Sequence, residues 1–192
     1  MKIERLYRQI LYEVIEADSR KFTQLGLSKT CSTSIGNIHH ALKPLVEMNA
    51  IEVRRRSFTV VDSKKILLYW ASKRKLRRDI LYSTKVNLPV DEIEAMLPPG
   101  LFTAYTAYKF IYKTLPSDYG EVWIYSDAKG VKNRFPPTSG VPNLYVLKLD
   151  DHLMRFKQIP LGQLYVDLWN MDKWYAQTYL KELEAKINGI LE

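Results

Sequence analysis

Between Ser32 and Val61 an amphipathic helical pattern runs straight into a short basic hairpin pattern, and few folds accommodate that order. Ser32, Thr33 and Ser34 supply hydroxyls able to cap a helix N-terminus. Behind them Ile35, Ile38, Leu42 and Leu45 recur at intervals of three and four, which predicts one buried stripe. At roughly 100° per residue, Thr33, Gly36, Asn37, His40 and Pro44 gather on the opposite side. That side is short-chained and able to hydrogen-bond, as a helix entering a major groove needs to be. Asn49 suits a left-handed cap at the helix end. Ile51–Val61 then gives two β-prone runs around Arg54, Arg55 and Arg56.

Upstream, Ile3, Leu6, Tyr7, Ile10, Leu11 and Val14 predict an amphipathic first helix, and Lys21–Leu27 a shorter second one. Three helices and a hairpin within about 60 residues is the order of a winged helix-turn-helix. The expected organisation is α+β: a winged helix over residues 1–62, then a mixed α/β domain over residues 63–192.

Charge points to the same end of the chain. Met1 to Ile80 holds 17 bases against 8 acids, a net +9, while the remainder nets −1 and the whole chain +8. A basic excess confined to one end is expected where that end meets a polyphosphate. There is no run of eighteen apolar residues, and the amino terminus reads as a charged amphipathic helix rather than a signal peptide. The expectation is a cytoplasmic protein without membrane attachment. Cys31 is the sole cysteine, which excludes an internal disulfide.

Beyond the hairpin, Asp62 can cap a helix over Ser63–Lys75, closed by the basic run Lys73–Arg78, a possible phosphate contact. Ile80–Val86 reads as a strand, Pro89–Leu97 as a short helix and Leu101–Tyr112 as a buried helix. Glu121–Ser126, Asn143–Leu149 and Gln163–Trp169 are rich in Tyr, Val and Trp and read as strands. The Gly- and Pro-rich stretch from Asp127 to Pro142 reads as a mobile loop. A last helix is expected from Asp172, burying Trp174, Leu180, Leu183 and Ile187.

The winged-helix order, Phe102-Thr103-Ala104-Tyr105-Thr106-Ala107-Tyr108, and Gln163-Leu164-Tyr165-Val166-Asp167-Leu168-Trp169-Asn170 ahead of a terminal helix together resemble the AbiEi-type regulators. These are the antitoxin and repressor components of type IV toxin–antitoxin systems. The resemblance implies an amino-terminal domain on operator DNA and a carboxy-terminal domain opposing a nucleotidyltransferase toxin, with no catalytic residues to carry over. A transcription regulator with a sensor or dimerisation domain fits the residues equally.

Reactive constellations are scarce. Adjacent His39 and His40 point about 100° apart on a helix and cannot chelate one metal together. No Cys-x-x-Cys pair, phosphate-binding glycine loop or Gly-x-Ser-x-Gly elbow occurs. Asp167, interrupting an apolar run, is the one residue that could belong to a metal-dependent nuclease or nucleotidyltransferase, with Glu121 and Lys148 as partners if folding joins them. The favoured expectation is a binding protein with no cofactor and no bound metal, acting on double-stranded DNA as a homodimer. Asn37 and His40 are expected at base edges, Thr33, Ser34, Gly36 and Lys43 at the groove or phosphates, and Arg54, Arg55 and Arg56 at the backbone or minor groove.

Overall fold

Leu6, Tyr7, Ile10, Leu11 and Val14 form one continuous buried face on the first helix, α1 (Lys2–Glu16), whereas Ile3 at its start is half exposed. The computed structural model describes residues 2–191, and their fold is α+β. They divide into two compact units: one runs to Lys73 and takes in Pro160–Val166 and the chain from Glu184, while the other comprises Arg74–Ile159 and Asp167–Leu183.

In the first unit α1 is followed by β1 (Lys21–Phe22), α2 (Gln24–Thr30), α3 (Ile35–Glu47), β2 (Ile51–Val53), β3 (Phe58–Val60) and α4 (Ser63–Lys73). The expected helix over Lys21–Leu27 is thus corrected. Lys21 and Phe22 pair with Thr59 and Phe58 of β3, and the helix starts after Thr23, whose hydroxyl accepts from the Gly26 amide. The three strands form an antiparallel sheet in the order β1-β3-β2. Phe58 stacks on Phe22 with ring centroids 5.4 Å apart, so the β1 pairing also closes an aromatic contact. Ile38, Leu42 and Leu45 of α3, with Ile66, Leu67 and Trp70 of α4, complete this core. The Tyr7 hydroxyl donates to the Ala41 carbonyl at 3.0 Å and fixes α3 against α1.

The second unit holds β4 (Ile80–Thr84), α5 (Val90–Met96), β5 (Leu101–Thr103), α6 (Ala104–Tyr112), β6 (Val122–Ser126), α7 (Ala128–Arg134) and β7 (Leu144–Lys148). The sheet order is β4-β7-β6-β5, with β6 and β7 parallel and both edge strands antiparallel to their neighbours. Val122, Ile124, Leu144 and Val146 pack with Ile93, Val131 and Phe135 into its core. Two helices complete the chain, α8 (Leu161–Trp169) and α9 (Ala176–Leu191).

Several local expectations are overturned here. Gln163–Trp169 belongs to a helix, not a strand, because Gln163 through Leu168 are all buried and no one-sided periodicity survives to distinguish the two. Leu101–Tyr112 begins as a strand and turns into a helix at Ala104, which takes a left-handed φ of 53°. The Asp127–Pro142 stretch contains α7, capped by Asp127, whose carboxylate accepts from the Lys129 and Gly130 amides. The last helix starts at Ala176, and Trp174 lies before it with 76% of its surface exposed.

Asp167 therefore projects from a helix. Its carboxylate accepts from the Thr103 hydroxyl at 2.8 Å, the Tyr125 hydroxyl at 2.7 Å and Arg74 Nε at 3.4 Å. Arg74, also buried, donates to the Tyr125 hydroxyl at 3.0 Å and pairs with Asp79. A carboxylate with no exposed surface is tolerable only because each oxygen is engaged. Asp167→Asn should destabilise the protein by about 3–5 kcal/mol, since it leaves a buried guanidinium short of a counter-charge. Chemical denaturation of the two proteins measures this, and equal midpoints would show that Asp79 alone suffices for Arg74.

Candidate nucleic-acid interface

The site is assembled on α3 by its caps. Ser34, in extended conformation, accepts from the Asn37 amide at 3.2 Å and starts the helix. At the other end Asn49 adopts a left-handed φ of 55°, and the Ala50 amide returns to the Leu45 carbonyl at 2.9 Å. The chain is thereby directed into β2. The hairpin turn is closed by the Arg54 amide donating to the Ser57 carbonyl at 2.8 Å, with Arg55 and Arg56 between them.

Ile38, Ala41, Leu42 and Leu45 face inward. With those fixed, 100° per residue sets Gly36, His40, Lys43 and Glu47 along the middle of the outward side, and all four are exposed. Ile35, expected in the buried stripe, is instead 49% exposed. It stands at the rim of that stripe with His39 and Val46, and these three residues line a cavity shared with the hairpin.

That cavity has a volume of about 710 Å³ and joins α3 to the start of α2 and to Arg54, Arg55 and Arg56. Lys43 lines it as well. Thr33, Asn37 and His40 line a different and smaller cavity of about 190 Å³, together with Ile3 and Leu6 of α1. Of the expected site residues, Lys43 and the arginines therefore line one cavity and Thr33, Asn37 and His40 the other, while Ser34 and Gly36 line neither. Asn37 donates through Nδ2 to the Thr33 hydroxyl at 3.1 Å, which orients its amide along the helix N-terminus.

The charges differ in their commitments. Lys43 lies 3.9 Å from Glu47, and Arg54 lies 3.7 Å from Glu52, both in exposed pairs. Exposed pairs of this kind contribute little, ~0–1 kcal/mol. Among the described residues Arg55 and Arg56 make no ion pair or side-chain hydrogen bond, and both are exposed. In the other unit, two of the four bases that follow α4 are engaged by acids. Arg74 is buried on Asp167, and Arg77 pairs with Asp172.

His39 and the aliphatic residues beside it were missed as site residues. The signal was present in the 3.6-residue period, since His39 follows Ile35 by four positions. What the sequence lacks is the position of the hairpin that turns this flank into a wall. Cys31 is buried, its thiol directed at the Arg5 carbonyl 3.6 Å away.

The acidic residues weighed for hydrolytic chemistry are placed as follows. Asp167 is occupied by the three donors already described. Glu121 is buried, with Oε1 lacking a hydrogen-bond partner among the described residues, and burial pushes its carboxyl above the ordinary range. Among the described residues no group of three or more His, Cys, Asp or Glu is arranged to hold a metal ion. No described helix is long and apolar enough to cross a membrane.

Comparison with known proteins finds no matching family profile, no matching curated relative and no matching solved structure.

Because Ser34 satisfies an otherwise unpaired helix amide, Ser34→Ala should destabilise the protein by about 0.5–2 kcal/mol. The loss should be concentrated in the first turn of α3, read as faster amide exchange at Gly36 and Asn37. Unchanged exchange there would remove Ser34 from the cap.

Proposed function

We propose that this protein is a winged-helix regulator that binds double-stranded DNA sequence-specifically, with α3 in the major groove and the β2–β3 hairpin as its wing. The observation that carries the reading is the pairing of one polar helix face, Gly36, His40 and Lys43, with a neighbouring hairpin tip bearing two arginines that are unpaired among the described residues. The element order supports it, as does the antiparallel sheet that anchors the hairpin to β1. The charge distribution agrees, because the chain's basic excess lies before residue 80.

Roles divide along the two flanks. His40, on the outward midline, and Asn37, on the flank towards α1, are the base-reading candidates, and Asn suits adenine. Thr33, Ser34 and the α3 amino terminus take a phosphate, since the amino-terminal end of a helix favours an anion. Gly36 admits close approach, since a Cβ there would meet only the Ser34 hydroxyl at 4.0 Å. Lys43 contacts the strand crossing the helix, and Arg54, Arg55 and Arg56 meet the backbone or minor groove. The protein acts as a homodimer on two half-sites, the arrangement common to helix-turn-helix regulators.

Two experiments test this on the full-length chain. Replacing Arg54, Arg55 and Arg56 together by alanine should weaken binding to every duplex alike. If three phosphates are released, the slope of log affinity against log salt falls by about 3 × 0.9. An unchanged slope places the hairpin away from the backbone, and absence of any duplex binding by the unsubstituted protein at low salt defeats the proposal itself.

The second uses a site selected from a random duplex pool. Asn37→Ala and His40→Ala should each lower the preference for the selected site by about 1–3 kcal/mol while leaving affinity for random duplex nearly unchanged. Equal losses on both duplexes would make these residues positioning groups rather than readers of sequence.

A further inference from the structure

Phosphate contact accounts for the cations around the α3–hairpin cavity but not for its apolar floor. Leu25 and Val53 are each 55% exposed and Val46 is 42% exposed, and with Ile35 they make four aliphatic side chains open to solvent in one concavity. The buried edges of Leu42 and Phe58 extend the same surface. Isolated exposed aliphatics are ordinary, whereas a cluster of them in a concave site marks a place for a partner. The rim carries four bases, Lys43, Arg54, Arg55 and Arg56, against the single acid Glu47. Two of those bases are free of any ion pair among the described residues.

We infer that this groove is a binding site for an amphipathic organic anion, an apolar body carrying one carboxylate or sulfonate. The apolar body lies on Leu25, Ile35, Val46 and Val53, and the anionic head meets Arg55 and Arg56. Volume agrees with a small molecule: about 710 Å³ falls within the ~300–1,000 Å³ of ordinary ligand sites. Charge fixes the sign of the head group, since a cationic amphiphile of equal length would face the same four bases. The head group and the DNA backbone require the same arginines, so a bound anion excludes the duplex. Only this exclusion rests on the DNA-binding reading; the binding site itself stands on the groove.

The experiment uses the full-length protein and decanoate below its micellar concentration. Direct binding is followed without DNA, by displacement of the fluorescent sulfonate 8-anilinonaphthalene-1-sulfonate. Decanoate should displace the probe, whereas butyrate and decyltrimethylammonium should not. The double variant Ile35→Asn, Val46→Asn should weaken decanoate binding about tenfold, as expected from removing two apolar walls. Arg55→Ala with Arg56→Ala, in the exposed turn, should weaken it comparably and supplies a second reading if the first variant folds poorly. Equal displacement by the cationic amphiphile, or unchanged affinity in both variants, overturns the site.

Duplex binding is then measured with and without decanoate. Loss of the complex at concentrations that fill the groove supports exclusion, and a complex that persists in their presence overturns it. A protein that binds decanoate yet never binds duplex refutes the functional proposal while leaving the groove assignment standing.

Discussion

Burial of a single stripe on α3 determines what the rest of the amino-terminal unit can present. Ile38, Ala41, Leu42 and Leu45 are buried, and the Tyr7 hydroxyl anchors the backbone between them at the Ala41 carbonyl. Burying one such aliphatic side chain stabilises by roughly 1.5–3 kcal/mol. Rotating α3 by even one residue, about 100°, would lose several of these contacts at once. The helix has therefore one orientation, and Gly36, His40 and Lys43 are displayed because their neighbours are held, not because of any contact they make themselves. The hairpin depends on the same stripe, for its direction is set where Asn49 leaves the helix and Ala50 turns back to Leu45.

Much of this was legible before any coordinates. The stripe of α3, the caps at Ser34 and Asn49, the hairpin around the arginines and the Asp62 cap of α4 all follow from local rules. In the last of these the Lys65 amide donates to Asp62 at 2.9 Å. What failed has a common physical cause. Lys21 and Phe22 join a sheet through partners almost 40 positions away, which no local pattern records. Gln163 through Leu168 are buried on all sides, so neither period can show. At Ala104 a strand becomes a helix through a left-handed residue with no glycine to announce it. Ile35 lies at the margin of its stripe, where periodicity cannot separate a core position from the wall of a groove. The aliphatic floor of the site was hidden for that reason.

Basic residues in this chain do two unlike jobs, and composition alone cannot sort them. Arg8 and Arg74 are buried, the former donating to Gln163 at 2.8 Å and the latter clasping Asp167. A buried guanidinium persists only where its donors are met, so such residues contribute structure and add nothing to the surface field. Arg77 is exposed and pairs with the equally exposed Asp172. The net charge of the amino-terminal stretch thus overstates what a polyanion would meet. Among the described residues, the cations without an acidic partner at the α3–hairpin surface are Arg55 and Arg56 of the turn.

Arg55 and Arg56 differ from Lys43 and Arg54 in having no acidic partner among the described residues. Glu47 and Glu52 each hold a cation at less than 4 Å, so an arriving anion must compete with a carboxylate already in place. At the turn no carboxylate among the described residues pairs with either arginine, so an arriving anion would displace only water and mobile ions. On α3 the side chains are shorter, and their backbone is fixed by the buried stripe. The same division gives the groove between helix and turn its mixed character. Its floor is apolar because it borders the core, and its rim is cationic because no acid among the described residues pairs with Arg55 or Arg56.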